Sequence, residues 1–270
     1  MTQKTLPVHD FDPVYGPVTS WRFGRSLGID AIGPISTCPF NCVYCQLGDI
    51  QHKTTQRQVF VSTAHIQQSL KRIDPATVDV VTLSGSGEPT LALNLADIIT
   101  CAKAQLDRPV VVLTNGSLLG NPAVRSALQV ADQVAVKLDA LSDEMLQGVN
   151  RPTTELNWRS IVAGIKEFSS TYQGELALQT MLLSPWNAGK QAEYIQLIKE
   201  IMPDEIQLNT PSRPRARTRQ LEARGNRVMA IGSPNLQPLK CVDLQTLQNF
   251  AVEIERCTGI LTRYPQLKQA

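Results

Sequence analysis

The chain has 270 residues, 42% of them hydrophobic and 19% charged, with a net charge of +2. That length supports one domain with a sizeable core, and the balance is ordinary for a globular protein. No apolar run reaches the length of a membrane span and residues 1–12 hold no apolar signal core, so neither a span nor export is expected. Six Cys in such a chain point to a reducing, cytoplasmic setting.

Residues 1–26 are broken by Pro7, Pro13, Gly16, Pro17 and Gly24, so no regular element is expected there. They read as an N-terminal arm, either over the mouth of a barrel or on the surface. Residues 27–32 read as a first strand. Directly after it comes Cys38-Pro-Phe-Asn-Cys42-Val-Tyr-Cys45, three thiols spaced C-x3-C-x2-C. A loop this short can wrap three thiolates around one inorganic core. Iron–sulfur cubes normally take four Cys. Three would leave one iron open to a further ligand, the feature that separates catalytic metal sites from structural ones. Zinc is a competing reading, with His52 as a candidate ligand but no second C-x-x-C or His pair. A disulfide or three structural thiols are the remaining readings.

The rest alternates. Residues 62–73 read as a helix capped by Ser62 or Thr63. Residues 78–83 are a β-branched run that reads as a buried parallel strand. It leads into Gly85-Ser-Gly87-Glu88, where two glycines let the backbone approach a ligand and Glu88 can accept from an amine. Alone, such a stretch is most often only a turn. A helix over 94–106 with Asn94 as cap, a strand over 109–114 and Asn115-Gly116 follow. Asn115 reads as a ribose or carboxylate contact, or as part of an ordinary Asn-Gly turn. After a helix over 122–130, the strand 133–139 puts Lys137 and Asp139 on one face. Two opposite charges there either pair or hold something polar. A helix over 155–169 leads to a strand over 175–183, where Gln179 touches a cofactor or satisfies the core. A helix over 191–202 leads to a strand over 205–209, ending at Asn209. About six strand–helix units imply a parallel α/β fold with right-handed crossovers.

Residues 211–227 hold six Arg (213, 215, 217, 219, 224 and 227) and Glu222, a local charge of +5 that leaves −3 for the remainder. The segment reads as a solvated linker or as a phosphate or nucleic-acid contact. A last helix is expected over 242–257. Cys101 reads as core, and Cys241 and Cys257 as isolated thiols.

The Cys triplet with Tyr44 before its last member resembles the signature of the radical SAM superfamily. The Gly-Ser-Gly-Glu turn is similar to that superfamily's Gly-Gly-Glu motif. The resemblance covers roughly residues 15–211. It implies a partial (β/α)6 TIM-like barrel with a short N-terminal arm (1–26), a core (27–211) and a C-terminal extension (212–270). It also implies two cofactors, a 4Fe-4S cluster on Cys38, Cys42 and Cys45, and S-adenosylmethionine (SAM) on the open iron. Tyr44 would lie near the adenine, Gly85, Gly87 and Glu88 would hold the amino group, Asp139 the ribose and Lys137 the carboxylate. Asn115, Gln179 and Asn209 are further candidate contacts. The implied chemistry is reductive SAM cleavage and hydrogen abstraction from an RNA base or a peptide, with a flavodoxin- or ferredoxin-type reductant. The competing function is a non-catalytic iron–sulfur carrier or redox sensor. Short stretches such as Leu-Thr-Asn-Gly and Asn-Arg-Pro are similar to wyosine tRNA-base synthetases, but no Cys precedes Cys38 to supply their second cluster.

Overall fold

A computed structural model describes residues 11–218, Leu221, Arg224 and 236–266. Arg219, Glu222 and Arg227 of the Arg-rich run, and residues 1–10 of the expected arm, lie outside the described residues.

The elements run β1 (Val14–Ser20), β2 (Gly24–Ile29), α1 (Thr63–Leu70), β3 (Val80–Leu83), α2 (Leu95–Leu106), β4 (Val110–Thr114), α3 (Pro122–Leu128) and β5 (Gln133–Lys137). They continue with α4 (Asp143–Val149), α5 (Trp158–Ser169), β6 (Glu175–Met181), α6 (Ala188–Ile201), β7 (Glu205–Asn209), β8 (Arg215–Ala216), β9 (Leu236–Gln237), α7 (Leu244–Thr258) and β10 (Leu261–Arg263). Eight strands form one sheet in the order β1-β2-β3-β4-β5-β6-β7-β10. All neighbours from β2 onward are parallel, and β1 alone is antiparallel. The sheet curls into a half-barrel, the partial TIM-like shape.

Strand alternation explains both faces of this sheet. Leu27, Ile29, Val81, Leu83, Val110, Val112, Val134, Val136, Leu176, Leu178, Ile206 and Leu208 belong to the main core, with helix residues such as Ile98, Ile165, Phe168 and Ile198. The alternate residues include small and polar ones, Ser26, Gly28, Thr82, Ala135, Ala177, Gln179 and Gln207, together with the apolar Val80, Val111 and Leu113. Large side chains on one face bury the helices. Small ones on the other leave a chamber.

Caps define most helix starts. Ser62, Asn121, Ser142, Asn157, Asn187 and Asp243 each accept from a first-turn N–H. Asn94 departs from the expected role. It stands at the cap position of α2 without a cap bond, and its amide donates to the Val61 carbonyl and Thr63 Oγ1 at 3.0 and 2.9 Å.

Three further departures matter. Residues 14–20, read as irregular, form a strand, because β1 pairs with β2 along an edge that would otherwise be open. Asp143–Val149 is a helix that the sequence reading passed over. The strand expected to reach residue 139 ends at Lys137, so Asp139 lies in the loop beyond it.

Candidate active site

The Cys loop is pinned on both sides by backbone hydrogen bonds. On one side, Thr37 N donates to the Ser86 carbonyl (3.1 Å) and Glu88 N to the Thr37 carbonyl (3.0 Å). A Cβ on Gly87 would overlap that Thr37 carbonyl oxygen, so only glycine lets the loops meet. Gly85 has φ +134 and packs on the buried side chain of Asp30. On the other side, Asn41 N and Val43 N donate to the carbonyls of Asn150 (3.0 Å) and Val149 (2.9 Å). Cys45 N closes a turn on the Cys42 carbonyl at 3.0 Å.

A chamber of about 410 Å³ opens under this loop. Cys38, Cys42, Cys45, Tyr44, Gly85, Gly87, Lys137 and Asn209 line it. Tyr15 and Arg22 of the expected arm, Arg213 and Arg224 of the Arg-rich run, and Ser84 and Met181, which the sequence reading does not single out, also line it.

Four candidates stand behind the wall, each engaged by protein groups. Glu88 is 2% exposed. Its carboxylate accepts from Thr90 N (3.1 Å), Thr90 Oγ1 (2.7 Å), Thr114 Oγ1 (2.6 Å) and Asn115 N (2.7 Å). Burial pushes its pKa up, against the pull of those donors. Asp139 accepts from Met181 N (2.8 Å), Asn150 Nδ2 (2.9 Å) and the Tyr44 hydroxyl. Lys137 Nζ sits 3.1 Å from the same carboxylate, so the ion-pair alternative holds. Gln179 donates to Gln207 Oε1 at 2.7 Å, satisfying the core. Asn115 donates from Nδ2 to Cys38 Sγ at 3.4 Å.

Asn150, buried and unforeseen as a site residue, joins three candidates. Its Nδ2 meets Asp139, Cys42 Sγ (3.4 Å) and the Tyr44 hydroxyl (3.4 Å). The end of α4 holds it there, through Asn150 N on the Leu146 carbonyl at 2.8 Å. Asp30 is a second hidden anchor, accepting from Ile32 N, Gly33 N, Ser86 N and Arg224. The Arg-rich run is not a solvated linker throughout. Arg215 is 6% exposed and pairs with Asp49, and Arg224 pairs with Asp30 at 2.9 Å.

The thiols fit an iron–sulfur core better than a zinc ion. Burial raises Cys38 well above the usual thiol range, helped by Glu88, and raises Cys42 to about 12, helped by Asp139. As bare groups they stay protonated, and a bound cation is what makes such thiols thiolates. N–H groups of Phe40, Asn115 and Asn150 already point at sulfur, the support expected around cluster ligands. Among the described residues no three His, Cys, Asp or Glu converge on a point where one ion could sit. A four-iron core is larger than an ion and takes its sulfurs from separated corners. His52 contributes its backbone carbonyl to Cys38 N (3.1 Å) and faces a different groove, so it does not complete a zinc set.

Comparison with known proteins agrees with this donor set. The family model for the radical SAM superfamily matches residues 32–209. A UPF0026 protein of Synechocystis sp. is 49% identical over 96% of this chain and 98% of its own length. A UPF0026 protein of Methanocaldococcus jannaschii is 34% identical over 74% of this chain and 64% of its own. The structure of Streptococcus suis SuiB bound to S-adenosylmethionine superposes with a TM-score of 0.60, at 12% identity, over 89% of this chain and 51% of that one.

Proposed function

The chain belongs to the radical SAM superfamily, and from that premise we propose that the chamber binds SAM against a cluster on Cys38, Cys42 and Cys45. It is an enzyme of the radical SAM type, with a 4Fe-4S cluster and SAM as cofactors. Bound in the chamber, the cluster and SAM would supply one-electron reductive chemistry, with methionine as the leaving group and a carbon radical able to take hydrogen from the substrate.

The protein's own groups position and shield. Asn115 and Asn150 donate to ligand sulfurs and stabilise their negative charge. The backbone at Gly85 and Gly87 lies open for the amino group of SAM. Lys137, 20% exposed at the chamber wall, takes the carboxylate, and Tyr44 faces the adenine. Glu88 and Asp139 act as positioning residues. Glu88 ties the glycine turn to the end of β4, and Asp139 holds Tyr44 and Lys137 in place. Asn209 is a contact at the rim, while Gln179 supports the wall from behind.

The single observation that carries this reading is the shared chamber, in which three thiols, the glycine turn and Lys137 meet. A simple electron carrier or sensor has no use for such a space. Enzymes of this superfamily need an electron donor, and a flavodoxin- or ferredoxin-type protein in the cytoplasm is our reading of it. Among the described residues no helix is long and apolar enough to cross a membrane. An RNA base and a peptide are the substrates carried forward. The RNA reading weakens, because Arg215 and Arg224 are engaged by Asp49 and Asp30 rather than offered to phosphates. The wyosine likeness rests on short motifs alone.

The test is anaerobic reconstitution followed by dithionite and SAM. The expected product is 5′-deoxyadenosine, absent from Cys42→Ala. No product from a protein with a full iron and sulfide complement, with or without added tRNA, would contradict the proposal.

A further inference from the structure

The floor of the chamber holds a cation that the mechanism above does not use. Arg22 lies in the tight turn between β1 and β2, at the end of the barrel opposite the Cys loop. Its backbone is fixed, with its N–H on Ser20 Oγ (3.2 Å) and its carbonyl accepting from Arg263 Nη2 (3.2 Å). Its side chain turns inward and lines both the main chamber and an adjoining recess of about 120 Å³. Its Nε is sealed from solvent and has no hydrogen-bond partner among the described residues.

The Nε atoms of Arg215 and Arg224 are likewise sealed and unpartnered among the described residues, so what sets Arg22 apart is its lack of a carboxylate partner. Arg215, Arg224 and Arg263 each face a carboxylate, of Asp49, Asp30 and Glu205. No carboxylate of the described residues pairs with Arg22. Glu205, which favours its charge from a distance, is already held by Arg263 (3.3 Å) and Gln207 (2.5 Å). The rings of Trp21 and Phe23, 5.0 and 5.8 Å from the guanidinium carbon, compensate in part. Burial and the nearby Arg263 lower its pKa to about 10, which leaves it charged at neutral pH. Arg22 is half-buried, and a guanidinium drawn partly from water without a counter-ion is destabilised, so an anionic ligand is the natural relief.

The recess has the size and chemistry for such a group. Hydroxyls of Ser20, Ser26, Thr82 and Ser84 line it beside Tyr15. They form two close pairs, Ser26 with Thr82 (3.0 Å) and Tyr15 with Ser84 (2.8 Å). Hydroxyls rotate to donate to an oxyanion. About 120 Å³ holds roughly four waters, enough for one acid group and too little for a nucleoside.

We propose that Arg22 binds a terminal carboxylate or phosphate of the substrate in this recess, fixing the substrate's other end toward the Cys loop. The group that enters the recess is therefore a single compact acid. This proposal rests on the radical SAM reading for the identity of the other ligand, but its test does not. The probes are inorganic phosphate and acetate, titrated into the reconstituted full chain by calorimetry. SAM affinity is followed by equilibrium dialysis, and folding by thermal melting.

Wild type is expected to bind one of the two anions saturably, and the better one identifies the acid. Arg22→Gln should weaken that binding about tenfold or more, the size of a lost charge-assisted hydrogen bond. Arg22→Lys should fall between, and decides the matter if Arg22→Gln does not melt cooperatively. SAM affinity should stay within about twofold in both variants. Anion binding that is absent in wild type, or equal in Arg22→Gln, overturns the proposal. So does a parallel loss of SAM affinity, which would put Arg22 in the cofactor's own site, or tRNA binding that depends on Arg22. A chain that binds anion through Arg22 yet makes no 5′-deoxyadenosine would sink the radical reading and leave this site standing.

Discussion

At the mouth of the chamber four donors surround Asp139 and four more surround Glu88, whereas at the floor Arg22 keeps a sealed Nε with no acceptor among the described residues. All three groups are charged residues next to one cavity. The first two are complete without a ligand, so they hold the walls. The third is incomplete, so it waits for one. A buried polar network that is fully satisfied specifies a shape, while an unsatisfied group marks where something else belongs.

The sharpest contrast comes from the loop above the mouth. Cys42→Ala should remove most bound iron and reduce 5′-deoxyadenosine to background, while Cys241→Ala, on an exposed thiol, leaves both unchanged. Iron and labile sulfide assays read this directly. Next in size is Asp139→Ala, which strips Lys137 of its partner and leaves the Met181 N–H, Asn150 and Tyr44 without their acceptor. A loss of about 3–5 kcal/mol is expected in urea unfolding. Arg22→Met should do the opposite. It removes an uncompensated charge and keeps the stem's packing, so the ligand-free protein should gain about 1 kcal/mol. If Arg22→Met loses as much as Asp139→Ala, the difference between the two ends collapses.

The smallest effect lies outside the chamber, where Asp79 pairs with Arg25 at the start of β2 (2.6 Å). Arg25 holds the Asp79 pKa down at about 2, below its value in an unfolded chain of about 3.9. A depressed acid stabilises the fold above the unfolded pKa, and that contribution fades as pH falls through about 2. Both side chains are solvent-exposed, so the effect is slight. The Tm gap between wild type and Asp79→Asn should narrow from pH 4 to pH 2.

The same contrast marks what was legible in the sequence. The parallel strands were, because β-branched runs such as Val110–Thr114 need no distant partner to be recognised. The Cys triplet and the glycine turn were, because their spacing carries their chemistry. The networks around Asp139 and Glu88 were legible only in part: Lys137 and Thr90 lie two residues away in the chain, but Tyr44, Asn150, Met181, Thr114 and Asn115 reach them from other segments. Asn150 was hidden for the same reason, as it meets Cys42 across 108 residues of chain. The edge strand β1 escaped because Gly16 and Pro17 interrupt its pattern, and β10 because three residues carry no period. Arg22 lies in an arm that reads as covering the mouth of a barrel or as lying on the surface. Only the fold brings it under the chamber.

The central claim is that SAM binds the open corner of a three-Cys cluster in this chamber. Electron paramagnetic resonance of the dithionite-reduced, reconstituted chain tests it most directly. Adding SAM should change the signal of the reduced cluster, because a new ligand alters the iron it touches. A fully loaded four-iron cluster whose signal is the same with and without saturating SAM would contradict the account.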